Sequence, residues 1–279
     1  MRIQAKRILS MVLLYLLLVL ILLYVLFPYI WTFLCSVKPE PELFSKKIHY
    51  LPISPTIQNY VSLFGLTKFP RYFLNSLIIA FATTVLAVLI SILAAYAFSR
   101  FRFPMRYLLM IIVLLTTMFP KILLIIPLFM IFRSLHLINT FAGLILAHST
   151  FAIPFSVWML TGFLETVPRD LELAALIDGC TRVQALLKIV IPLMLPGIAA
   201  TAVYIFISSW NEYLYALIFT TTPSIRTLPV GLKMFVGKYE VSWGWLTAGG
   251  MVTSIPLVIL FFLVQKHLIK GLTAGAVKQ

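Results

Sequence analysis

Two stretches of this chain carry residues whose types and spacing can do chemistry. In the first, Trp210, Asn211, Glu212, Tyr213 and Tyr215 crowd into one turn and a half of chain. Aromatic faces beside hydrogen-bonding side chains suit a sugar, and a carboxylate in apolar sequence needs a cavity or a partner. An ionisable side chain at the centre of a membrane helix costs at least about 2.5–3.5 kcal/mol. Two other uses fit the same residues: an aromatic belt at the membrane surface and a structural hydrogen bond between subunits. Asn75 and Lys121 join Asn211, Glu212, Tyr213 and Tyr215 as candidates for a substrate pathway, with Ser76, Thr116, Thr117 and His148 behind them. Lone polar residues in spans more often bond a neighbouring helix.

The second stretch runs VPRDLELAALIDGCTRVQALLKIVIPLMLPG, from Val167 to Gly197. Four of the chain's eight acidic residues, Glu165, Asp170, Glu172 and Asp178, lie at or near its start. The chemistry here is that of docking. Pro168 suits the first turn of a helix, where its missing N–H would be unpaired anyway, and Asp170 and Glu172 complement the positive end of the dipole. Gly179 can take the left-handed conformation that ends the helix. Thr181 with Gln184 forms a capping box for a second helix, which Pro192 and Pro196 are expected to interrupt. Leu171, Leu173, Ala174, Ala175, Leu176 and Ile177 make the first helix apolar on most sides. Something must cover it: either this chain's own membrane helices or a groove on a partner.

Other chemistry is missing. No G-x-x-x-x-G-K-[ST], H-E-x-x-H or G-x-S-x-G occurs, so phosphate cradling, zinc hydrolysis and a nucleophile elbow lack their motifs. His49, His136, His148 and His267 are far apart, and Cys35 and Cys180 stand alone. No catalytic residue, metal ligand or cofactor is expected.

The elements that position these residues are membrane helices. Of 279 residues, 62% are hydrophobic and 11% charged, against roughly 45–50% and 25% in a soluble domain. The formal charge of +14 does not imply a nucleic-acid partner, because the Lys and Arg residues fall between apolar runs, where they orient helices. Runs near 9–34, 73–97, 107–132, 138–163, 197–220 and 247–268 predict six spans of about 20 residues or more. The first is too long for a signal peptide. An even number puts both termini on one side. Arg100, Arg102 and Arg106 between spans two and three make that side the cytoplasm, although the outward segment 35–72 holds five Lys or Arg residues of its own. Its prolines (Pro39, Pro41, Pro52, Pro55) predict an extended linker. Pro120 and Pro127 break up the third span, as on a transport path or in a packing kink.

The 167–197 stretch resembles the EAA loop of permeases of ATP-binding-cassette (ABC) importers, on Glu172, Ala174, Ala175, Asp178, Gly179 and Pro192. Leu173 stands where that family often has a second Glu. SWNEYLYALIF, from Ser209 to Phe219, resembles the fifth-span signature of carbohydrate importers, and KGLTAGAVKQ, from Lys270 to Gln279, is similar to the tail of MalG-type subunits. The resemblance implies an all-α polytopic fold with six spans, the type I importer permease (MetI-like) fold. It divides the chain into 1–70, a transporter domain at 71–268 and a cytoplasmic tail at 269–279. It implies a multi-pass protein of a prokaryotic inner membrane, half of a path for a maltose- or trehalose-like sugar, and no enzymatic activity of its own. Its implied partners are an ABC ATPase dimer, a second permease subunit, an extracytoplasmic sugar-binding protein and membrane lipid. The ATPase would be met through Glu172, Ala174, Ala175, Asp178 and Gly179 and through Gly271, Thr273 and Gly275 in the tail. The competing reading is a self-sufficient secondary transporter or channel working as a homo-oligomer. That reading needs ion-coupling acids in several spans, and only Glu212 qualifies.

Overall fold

The structure is a computed structural model. It describes residues 2–237 and 241–276, with side chains for 9–237 and 241–266. In chain order the helices are α1 (Arg2–Ser36), α2 (Glu40–Leu43), α3 (Gln58–Leu66), α4 (Phe69–Arg100), α5 (Arg106–Met118), α6 (Lys121–Ser134) and α7 (Phe141–Glu165). There follow α8 (Arg169–Ile177), α9 (Arg182–Ala185), a π turn (Leu186–Val190), α10 (Ile191–Trp210), α11 (Leu214–Phe219), α12 (Leu228–Lys233) and α13 (Trp243–Ala276). Among the described residues, five helices are long and apolar enough to cross a membrane, and six spans result if α5 and α6 count as one.

The chain forms two compact units, Met1–Phe69 with Leu232–Ile255 and Pro70–Gly231 with Pro256–Gln279. In the first, no residue in the most apolar window of Leu9–Ser36 is buried, as befits a helix solvated by lipid. The segment after it is not the extended linker that its prolines predict. The Asn59 side chain on α3 donates to the Ser36 and Lys38 carbonyls, both at 2.8 Å. The Glu40 carboxylate on α2 accepts from Trp243 N at 3.1 Å and Gly244 N at 3.0 Å. It so caps the first turn of α13, where an anion meets unpaired N–H groups. Gly244 is required there, since a Cβ would stand 2.5 Å from Asn59 Oδ1.

Among the described residues, the two largest apolar cores of the second unit are both lined by α4 and α7. One gathers Ile92, Ala95 and Tyr96 with Leu160, Leu164, Leu186, Val190 and Met194. The other gathers Ile79, Ile125, Phe132 and Leu144 with Tyr215, Ala216 and Phe219. Beside the first of these, α7 and α10 meet closely, because Gly197 leaves room for the Phe163 ring, which an added Cβ would meet at 2.5 Å.

Two spans depart from their predicted form. The third is two helices bent by 99° at Phe119–Pro120; Pro120 supplies no N–H, so the chain turns there instead of kinking. The fifth starts at Arg182 and ends at Trp210, not at 220. Pro192 and Pro196 do not interrupt it, because the π turn at Leu186–Val190 takes up the misfit before Pro192. Asn211 and Glu212 therefore lie at the end of a helix, not within one.

Candidate functional site

The 167–197 segment folds as its capping signals require. Gly179 has φ +87° and ends the α8 turn, and Thr181 and Gln184 bond each other's backbone N–H groups in a complete capping box. On α8 the side chains split by helical phase. Glu172 and Ala175 are buried, at 8% and 4% exposure, whereas Leu171, Leu173 and Ile177 are 44%, 54% and 86% exposed. Ala174, Asp178 and Gly179 share the exposed side.

The buried side is pinned to α4. Glu172 Oε2 accepts from Arg100 Nε at 2.8 Å, and its Oε1 accepts from the Tyr96 hydroxyl. Arg100 Nη2 continues to the Val167 carbonyl at 3.0 Å, and Arg169 donates to the Ser99 carbonyl. A charged pair hidden this far from water persists only when its remaining bonds are satisfied, as they are here. Glu172 is thus not a free surface group but the anchor of α8 to α4. Arg100, whose charge in the sequence speaks only of orientation, is its counterion. The tail residues Gly271, Thr273 and Gly275 lie outside the residues whose side chains are described.

At the other end of the same unit, a cavity of about 290 Å³ opens between the bend of α5–α6, α7 and α10. Phe119, Phe151, Phe155 and Tyr204 supply rings, and Lys121, His148, Ser208 and Glu212 supply polar groups. The Phe155 and Tyr204 rings lie 4.5 Å apart. Glu212 is 9% exposed. Its carboxylate accepts from Tyr215 N at 3.0 Å and Ala216 N at 3.1 Å, which starts α11. His148 Nε2 lies 3.3 Å from Glu212 Oε2, within ion-pair range when the imidazole is charged but not aligned as a hydrogen bond. His148 Nδ1 bonds Ser209 Oγ at 2.7 Å. The Lys121 ammonium stands 5.3 Å from the centre of the Phe151 ring, with no carboxylate in ion-pair range among the described residues.

The sequence candidates divide accordingly. Lys121, Glu212 and His148 meet in the cavity. Tyr215 is fully buried and its hydroxyl donates to the Lys121 carbonyl at 2.9 Å, so it shapes the wall from behind. Asn75 is drawn away altogether. Its amide donates to the Ser224 and Arg226 carbonyls at 2.9 and 2.8 Å and fastens the loop after α11, as Ser76 Oγ does by accepting from Leu228 N. Asn211 and Tyr213 are not among the lining residues, whereas Phe155, Tyr204 and Ser208, unremarkable in the sequence, are. Only the i, i+4 spacing of Tyr204 and Ser208 could have suggested a shared face.

A helix braced at one end of a polytopic bundle and a polar, ring-lined cavity at the other define a transport subunit. The chain belongs to the family of binding-protein-dependent transport system inner membrane components, whose profile matches residues 87–274. It is an ABC transporter permease, a multi-pass membrane protein and a transport component rather than an enzyme, which sets aside the self-sufficient carrier. It is 40% identical over 253 residues to the sulfoquinovosyl glycerol transport system permease SmoH of Agrobacterium fabrum, covering 91% of this chain and 89% of that one. It is likewise 40% identical over 256 residues to the trehalose/maltose transport system permease MalG of Thermococcus litoralis, covering 91% of each. A chain of a bacterial ABC transporter involved in importing the acidic polysaccharide alginate shares the fold, with a TM-score of 0.82 over 95% of this chain and 98% of that one at 23% identity.

Proposed function

We propose that this chain forms one wall of the path for a small sugar or sugar conjugate in an ATP-driven importer, and that it takes its motion from a separate ATPase through the exposed side of α8. The names of the two relatives at 40% identity support the substrate class. The observation that carries the coupling is the split of α8, whose Leu171, Leu173 and Ile177 stay exposed while Glu172 ties the opposite side to α4. A small apolar helix held rigidly and left uncovered suits a cleft on a partner. The cytoplasm is then the side of α8, of Arg100 and of both termini. The tail, with Gly271, Thr273 and Gly275, is a second contact with the ATPase dimer. A paralogous second permease closes the other side of the cavity, and an extracytoplasmic sugar-binding protein delivers the substrate.

In the cavity, the rings of Phe155 and Tyr204 meet the apolar face of a sugar, and Lys121 and Ser208 meet its hydroxyl groups. Glu212 and His148 hold the wall in shape. The test is Ala174→Glu in the reconstituted complex. A carboxylate on the exposed side leaves the brace intact and is expected to uncouple ATP hydrolysis from uptake, with uptake falling by about tenfold or more, as one desolvated charge of about 1.4 kcal/mol would give. Wild-type uptake per ATP hydrolysed would sink the coupling role. Ala175 is the wrong position for this test, since it is buried against the chain itself.

A further inference from the structure

We propose that the α8 end of the second unit carries a binding site for one anionic phospholipid, with its phosphate among Arg102, Arg106 and Arg169 and an acyl chain in the groove beside them. Two adjoining cavities make the site. One, of about 440 Å³, is lined by Arg102, Phe103, Met105, Arg106, Tyr107 and Arg169, so half of its six lining residues carry a guanidinium. The other, of about 480 Å³, shares Arg106 and Tyr107 and runs on past Phe98, Met110, Trp158 and Phe163. A cationic mouth thus opens into a trough of rings and methionines, the division a phospholipid makes between head and chain. Glu165 and Thr166 also border the trough, at the terminus of α7.

The arginines come from two separate parts of the chain, which loop charges placed for helix orientation alone have no reason to do. Arg102 and Arg106 flank a turn whose Met105 has φ 63°, a left-handed conformation that a non-glycine residue rarely adopts. Arg169 is the first residue of α8 and is held by its bond to the Ser99 carbonyl. Arg106 lies over the Tyr107 ring at 4.7 Å and donates to its hydroxyl at 3.1 Å. No carboxylate stands within ion-pair range of any of the three among the described residues. By contrast, Arg100 next door has Glu172. Guanidinium groups left without carboxylates at a membrane surface suit phosphate, which they bind through paired N–H groups, and basic pockets between membrane helices on the cytoplasmic side take anionic headgroups. Since Arg169 opens α8, the lipid would sit at the root of the docking helix.

The experiment titrates the purified full-length chain in detergent with dioleoyl phosphatidylglycerol, dioleoyl phosphatidylcholine or glycerol phosphate and counts retained molecules by native mass spectrometry. One phosphatidylglycerol is expected to bind well ahead of phosphatidylcholine, with glycerol phosphate not retained. The Arg102→Gln, Arg106→Gln double variant leaves both the Glu172 brace and the Arg169 bond in place. It is expected to weaken phosphatidylglycerol by about 30-fold, two surface charges' worth, and to leave phosphatidylcholine unchanged. Gly162→Phe fills the groove at a position where an added Cβ meets nothing within 4 Å, and should weaken phosphatidylglycerol without touching an arginine. Equal retention of the two lipids, or unchanged binding by either variant, overturns the site. Glycerol phosphate held as tightly as the lipid makes it a phosphate pocket only and also overturns it. If the double variant keeps its lipid but no longer co-purifies with the ATPase, the arginines are a protein contact and the proposal falls.

Discussion

Two carboxylates are buried in the second unit, and they are held in opposite ways. Glu172 is neutralised from afar: its counterion Arg100 comes from a different helix, 72 residues earlier. Glu212 is satisfied mostly at home, by backbone N–H groups three and four residues on, with His148 as its one distant neighbour. The first arrangement welds two elements together. The second opens a break between α10 and α11 and leaves the space beside it free. The same residue type is a rivet at the α8 end and a hinge-pin at the cavity, and the source of its partners decides which.

The comparison breaks if the two glutamates respond alike to removal. The largest effect is expected for Glu172→Ala, which strands Arg100 in a buried position and costs about 3–5 kcal/mol. Thermal unfolding in detergent should show it, and Arg100→Leu with Glu172→Leu should recover most of the loss, since an apolar pair replaces a buried ion pair at little cost. A single variant that melts like the parent would remove the brace. A smaller loss, about 1–3 kcal/mol, is expected for Glu212→Ala, which leaves two N–H groups of α11 unpaired. Its uptake kinetics should change more than its melting does. Glu212→Gln keeps an acceptor and is expected to fall between. If Glu212→Ala and Tyr215→Ala left uptake and substrate preference as they were, the cavity would not be the path. The smallest effect belongs to Tyr215→Phe, which removes only the bond to the Lys121 carbonyl, about 1 kcal/mol, and should leave substrate preference intact. A shift in preference there would bring Tyr215 to the front of the wall.

Much of the α8 end could be read directly from the sequence because its signals are local. Gly179 and the Thr181/Gln184 pair are each interpretable within four residues and do in the fold what their chemistry requires, while Pro168 stands at the N-cap of α8, one place before the first turn expected of it. The cavity end was legible only in part. Glu212 and Lys121 stand out as charges in apolar sequence, but Asn75 stands out equally and is engaged elsewhere. A polar residue in a span advertises a hydrogen bond without naming its partner. The Arg100–Glu172 pair was illegible for the same reason, since nothing in the neighbourhood of either residue points to the other. The break in the third span was legible at Pro120, although Pro127 sits inside α6 without breaking it; the 99° angle was not, because hydropathy counts residues and not the direction the chain takes.

The π turn at Leu186–Val190 has a mechanical consequence. By absorbing the misfit before Pro192, it lets the chain from Arg182, just after the capping box, to Trp210 run as one 29-residue shaft. At 1.5 Å per residue that shaft is roughly 40 Å long, with its foot beside α8 and Tyr204 and Ser208 near its head. A tilt of about 5° at the foot would swing the head by about 3.5 Å at that length, close to the width of an aromatic ring's contact with a sugar. A stiff shaft converts a small rotation into a displacement large enough to make or release such a contact, and a shaft broken at Pro192 would lose the stroke on the way.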